Sequence, residues 1–122
     1  VGAKRTRQGD MVLNKLKAHL GVFALSAYDG LVSPDYAVYY GTGRADLEYL
    51  EYLFKTPLYV SEFIKKTTGV AIGFNRLYTD DLFSIPAHYP PMQEQKRIVD
   101  YLKDKTLKIE QYVSARERER AA

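Results

Sequence analysis

Residues 65–78, KKTTGVAIGFNRLY, gather side chains suited to a phosphate-bearing polymer with directional edges. Lys65, Lys66, Thr67 and Thr68 suit phosphate oxygens, and Gly69 and Gly73 permit close backbone approach. Asn75, Arg76 and Tyr78 carry the directional donors that base-edge contacts need. In a DNA major groove an Arg fork favours guanine and an Asn amide favours adenine. The plain alternative for Asn75 and Arg76 is an exposed turn with no ligand. Lys15, Lys17 and His19, spaced by two, would share one face of a strand. They form a second contact candidate, or else a solvated edge face.

Chemistry of other kinds finds little footing in the spacing. The chain has no cysteine, so disulfides and thiolate metal sites are excluded. His19 and His88 are its only histidines, and a zinc site would need carboxylates to complete it. There is no Ser-His-Asp pattern, phosphate loop or HExxH. The GTG at Gly41–Gly43 runs into a polar helix and is too weak for a nucleotide cradle. SPDY, Ser33–Tyr36, superficially resembles the Asp/Asn/Ser-Pro-Pro-Tyr/Phe motif of amino-group DNA methyltransferases. It lacks the second proline, and a chain of 122 residues has no room for the cofactor domain of such an enzyme. Asp80-Asp81 suits a turn or helix cap better than a catalytic dyad. No catalytic residue, cofactor or metal is expected.

Charge is unevenly distributed around a net +3. Lys4, Arg5, Arg7, Lys15 and Lys17 face the single acid Asp10 at the start. Residues 35–62 then hold the five acids Asp35, Asp46, Glu48, Glu51 and Glu62 against Arg44 and Lys55, and Lys65, Lys66 and Arg76 follow. The two basic segments would make one positive surface if the fold brought them together; otherwise they are mixed surface charge. No run approaches the ~20 apolar residues of a membrane span. VGAKRTRQGD has basic residues with no apolar stretch behind them, so no secretory signal is expected there, and the expected location is cytoplasmic.

The elements that must position these groups read as α+β. GDMVLNKL and LGVFAL are strand-like, and Asp29-Gly30 suits a tight hairpin. A β-branched and aromatic run follows Ser33-Pro34. RADLEYLEYLFKT is helical, with Leu47, Leu50 and Phe54 three and four apart. A second helix is expected over PLYVSEFIKKTT, with Gly69 as its stop. GVAIGFNRLYTDDLFSIPAHYPP reads as a loop with one strand.

Residues 92–120 contain neither Gly nor Pro. Gln95, Val99, Leu102, Thr106, Ile109, Val113 and Arg116 fall at a 4-3 spacing, widened by Ile98 and Tyr112, with Thr106 and Arg116 as polar imperfections in the seam. That is an amphipathic helix with coiled-coil spacing, about 43 Å long at ~1.5 Å per residue. Pro90 and Pro91 start it sharply. It either leaves the globular body or folds back on it.

The motifs taken together resemble the target recognition domain of type I restriction-modification specificity subunits. Gly9-Asp10-x-Val12 is similar to that family's "GD-I/V" strand. Pro90, Pro91, Glu94, Gln95, Ile98, Val99 and Leu102 look like the start of its long spacer helix. The likeness spans nearly the whole chain and implies a small mixed α/β recognition domain over 1–89, shorter at its N-terminus than the family's. A long projecting spacer and dimerisation helix would occupy 90–122. It also implies a non-catalytic partner of double-stranded DNA that binds one half of a bipartite site. Methylation and cleavage would belong to the modification (methyltransferase) and restriction subunits. A half-subunit of this kind would form a homodimer through Gln95, Ile98, Val99, Leu102, Thr106, Ile109 and Val113. The competing class is a protein-interaction module that pairs through the same helix and never touches DNA.

Overall fold

Met11 and Leu13 alternate with Val12 and Asn14, and this period of two sets the central strand of the protein. In the computed structural model, which describes residues 2–16, 23–71 and 74–121 (of 68–71 and 74–76 the backbone alone), β2 (Met11–Asn14) lies between β3 (Phe23–Leu25) and β5 (Tyr36–Tyr39). Both pairings are antiparallel. Leu13 stands opposite Phe23 on one side and Ala37 on the other, so one row of buried side chains crosses the sheet. A second ladder pairs β1 (Lys4–Thr6) with β4 (Gly30–Val32).

Two helices cover the inner face of the three-stranded sheet. In α1 (Leu47–Phe54), the Asp46 side chain accepts from the Glu48 N–H at the N-terminus. α2 (Pro57–Lys66) starts on Pro57, which the first turn tolerates because its missing N–H is unpaired there anyway. It buries Tyr59 and Phe63, one turn apart. Phe63 meets Phe23 and Phe54 at ring-centroid distances of 5.0 and 5.6 Å, in the tilted and edge-on geometries aromatic pairs prefer. This aromatic cluster and the Leu13 row are the core.

The remaining elements are β6 (Thr68–Ala71), β7 (Phe74–Arg76), the short α3 (Thr79–Phe83) and α4 (Met92–Ala121). The mixed α+β class is as expected, and so are the strands at Met11 and Phe23 and the helices α1 and α2. Three details differ. Asp29-Gly30 makes no hairpin between paired neighbours: Gly30 opens β4, which pairs with β1, while β3 pairs with β2. The Asp29 carboxylate instead accepts from the Gln8 N–H at 2.9 Å, and the left-handed turn residue is Gly9 at φ +91°. α2 stops before Gly69, because Thr67 takes extended backbone and Gly69 already belongs to β6. The segment read as a loop with one strand is an antiparallel hairpin followed by α3, whose first turn carries Asp80 and Asp81. Acids there favour the helix dipole.

Pro91 caps α4 through its carbonyl, which accepts from the Glu94 and Gln95 N–H groups at 2.9 and 3.0 Å. Both expectations for this helix hold over different parts of it. Its first turns lie on the body, with Gln95 and Val99 buried and Lys103 ion-paired to Glu48 of α1. Beyond Lys103 every described residue is exposed except Ala115, which is half-buried. That outer part is ~27 Å long at ~1.5 Å per residue.

Candidate nucleic-acid interface

α2 ends on Lys65 and Lys66, both exposed. Lys65 holds Glu62 one turn back at 3.2 Å, a surface pair that leaves its ammonium largely in water. Thr67 turns the chain by donating from its hydroxyl to the Ile64 carbonyl at 2.8 Å. The hairpin then folds the second half of the candidate segment onto the first. Thr68 pairs with Arg76 and Gly69 with Asn75, with a register irregularity between Gly69 and Ala71. Phosphate-type and edge-type residues that are eight apart in the sequence are therefore cross-strand neighbours.

Leu77, fully buried, anchors the far end of this hairpin in the core. Its N–H donates to the Lys15 carbonyl at 3.0 Å. The two basic segments of the sequence thus meet at one corner, Lys15 on one side and Arg76 and Tyr78 flanking Leu77 on the other. Lys15 is fixed from its own side as well, its N–H donating to the Asp35 carbonyl at 3.1 Å. Lys4 reaches the same corner and donates from Nζ to the Tyr36 carbonyl at 2.8 Å. Lys4 belongs to the first basic segment by composition; its contact with the start of β5 is shown only by the structure. Tyr78 is exposed.

Lys15 does not sit on a strand as the spacing suggested. β2 ends at Asn14, whose Oδ1 accepts from the Leu16 N–H at 3.1 Å and turns the chain. An Asn side chain that captures a backbone donor two residues on competes with ladder pairing. Lys17 and His19 lie outside the described residues.

The helix-pairing residues separate into two groups. Gln95 is fully buried and spends its amide within the chain: Oε1 accepts from the Asp46 N–H and Nε2 donates to the Pro90 carbonyl, both at 2.8 Å. Val99 is buried one turn later. Both are buried within the chain, where the start of α4 lies on the body. Ile98 and Leu102 are half-buried, and Thr106, Ile109 and Val113 are exposed, with Ile109 63% accessible.

The remaining weak motifs find ordinary structural roles. SPDY is a turn, closed by the Tyr36 N–H on the Ser33 carbonyl at 3.1 Å with Pro34 in its second position. Gly43 takes φ +88° in the loop before α1. Among the described residues no cluster of three or more His, Asp or Glu could hold a metal ion. No described helix is long and apolar enough to cross a membrane. Among the described residues two groups have displaced pKa values. Burial pushes the Tyr39 phenol up, opposed by its hydrogen bond with Thr79. The Lys103 ammonium is raised by its hydrogen bond and charge interaction with Glu48. No protein-family model and no curated protein matches the sequence.

Proposed function

We propose that this chain is a non-catalytic, cytoplasmic DNA sequence-specificity domain of a type I restriction-modification assembly. It reads one half of a bipartite site, and the outer part of α4 sets its distance from a second recognition domain. The observation that carries this reading is the bond between the Leu77 N–H and the Lys15 carbonyl, because it joins two basic segments 62 residues apart into one corner. The cross-strand pairing of Thr68 with Arg76 supports it by stacking the candidate contacts beside Lys65 and Lys66. Cations for phosphates and a fork for base edges are what such a surface requires.

The exposed apolar side chains of α4, Leu107, Ile109, Tyr112 and Val113, also favour a second reading, an interaction module that pairs through this helix alone. Mobility of random duplex DNA with the protein across a salt series separates the two. Affinity that falls steeply with salt supports DNA contact. Absence of binding at low salt overturns it and leaves the interaction module.

A further inference from the structure

A cleft of about 620 Å³ opens between β5, the loop at Tyr40–Ala45, α1 and α3. Its floor is core: Met11 is buried, with Leu50 and Phe54 alongside. Its rim carries Tyr40 and Phe83, 79% and 70% accessible although both are large and apolar in body. Among the described residues Arg44 is the one charged residue that lines it, and no carboxylate does. Among the described residues Arg44 makes no ion pair. A single uncompensated guanidinium at the mouth of an apolar cleft is a charge pattern with one complement.

We infer that this cleft binds a small amphipathic carboxylate, its apolar tail against Met11, Leu50 and Phe54 and its carboxylate on Arg44. Size and lining agree: ligand clefts typically enclose roughly 300–1,000 Å³, with apolar walls and a few placed polar groups. Depth argues for a narrow tail over a flat protein partner, because the floor consists of side chains that also build the core. The guanidinium supplies two parallel donors for the carboxylate, which a neutral head group could not use as well. Burial of the tail supplies the non-directional share. This site is separate from the proposed DNA-contacting corner and does not depend on it.

The chain provides its own reporter, since Met11 lines the cleft and Met92, at the start of α4, does not. Titration with octanoate and with 1-octanol, followed by the methyl resonances of the two methionines, tests the inference. Octanoate is expected to shift Met11 and leave Met92 in place. Octanol, and octanoate with Arg44→Gln, should bind about tenfold more weakly, as fits the loss of one charge-assisted contact. Arg44 is exposed, so the variant keeps its fold; Arg118→Gln on the outer helix should bind like the parent. Equal affinity for octanoate and octanol, indifference to Arg44→Gln, a shift at Met92 in place of Met11, or no shift with saturating octanoate would each overturn the inference.

Discussion

Gln95 ties the start of the last helix to the start of the first. Its buried amide accepts from the Asp46 N–H and donates to the Pro90 carbonyl, both at 2.8 Å. The body of the protein thereby dictates the direction in which α4 leaves. A buried amide satisfied at both ends is worth keeping mainly because its loss strands its partners. Gln95→Ala should cost about 1–3 kcal/mol by urea unfolding, against a total of ~5–15 kcal/mol for an ordinary domain. Gln93→Ala, two residues earlier on another face of the helix and exposed, should stay within ~0.5 kcal/mol of the parent. Equal costs for the two would show that the amide bridge contributes nothing.

A second anchor holds α4 two turns further on, where Lys103 meets Glu48. Both side chains are about half in water, so the pair is a modest, salt-sensitive contact. Glu48 raises the Lys103 pKa in the folded state. The stabilisation is therefore complete below the unfolded value of ~10.4 and is lost as pH rises through the higher folded value. Comparison with Lys103→Met isolates this effect from tyrosine ionisation in the same range. The stability difference between parent and variant should be present at about pH 8 and should disappear once the pH has risen above the raised folded value. A difference that persists unchanged would mean the methylenes of Lys103, not its charge, make the contact.

Local pattern was legible in the sequence and distant pairing was not. Leu47, Leu50 and Phe54 announce α1 because helical period is a property of neighbouring residues, and Pro90-Pro91 announces α4 for the same reason. Gly30 misleads because an Asp-Gly pair reports only the ease of turning; β4 pairs with β1, where Gly30 stands opposite Thr6, a residue that precedes β2 and β3 in the chain. Gln95 misleads in a related way. A polar residue in an apolar seam reads as a helix-pairing position, but its partner is Asp46, 49 residues earlier. The candidate contacts at 65–78 were found by residue type. Their adjacency to Lys15 rests on one backbone bond that no local pattern encodes.

Removal of residues 104–122 should leave a folded body, since Gln95, Val99 and Lys103 all remain. Cooperative unfolding is expected within ~0.5 kcal/mol of the full chain. An outer helix segment of this length is marginal in water unless something covers its apolar side. If a second copy does so, the intact chain sediments as a dimer and the truncated one as a monomer. Ile109→Asp with Val113→Asp should also give a monomer while the helix remains. An intact chain that is monomeric at high concentration rules out pairing through α4.

The DNA reading makes its sharpest demand at Lys65, Lys66 and Arg76. Phosphates are the same on every sequence, so Lys65→Ala with Lys66→Ala should weaken binding to all duplexes alike. The same change should flatten the salt dependence by about 0.9 per lost contact. Base edges differ, so Arg76→Ala should cost about 1–3 kcal/mol on the cognate half-site and much less on random DNA. Arg76→Lys keeps the charge and removes the two-donor fork, and it should behave like the alanine variant on the cognate site and like the parent on random DNA. Competitive fluorescence anisotropy on both duplexes measures all three. Equal loss on cognate and random DNA for Arg76→Ala would make Arg76 one more phosphate contact. The edge-reading role would then pass to its hairpin neighbour Asn75, across the strand from Gly69, where Asn75→Ala repeats the test.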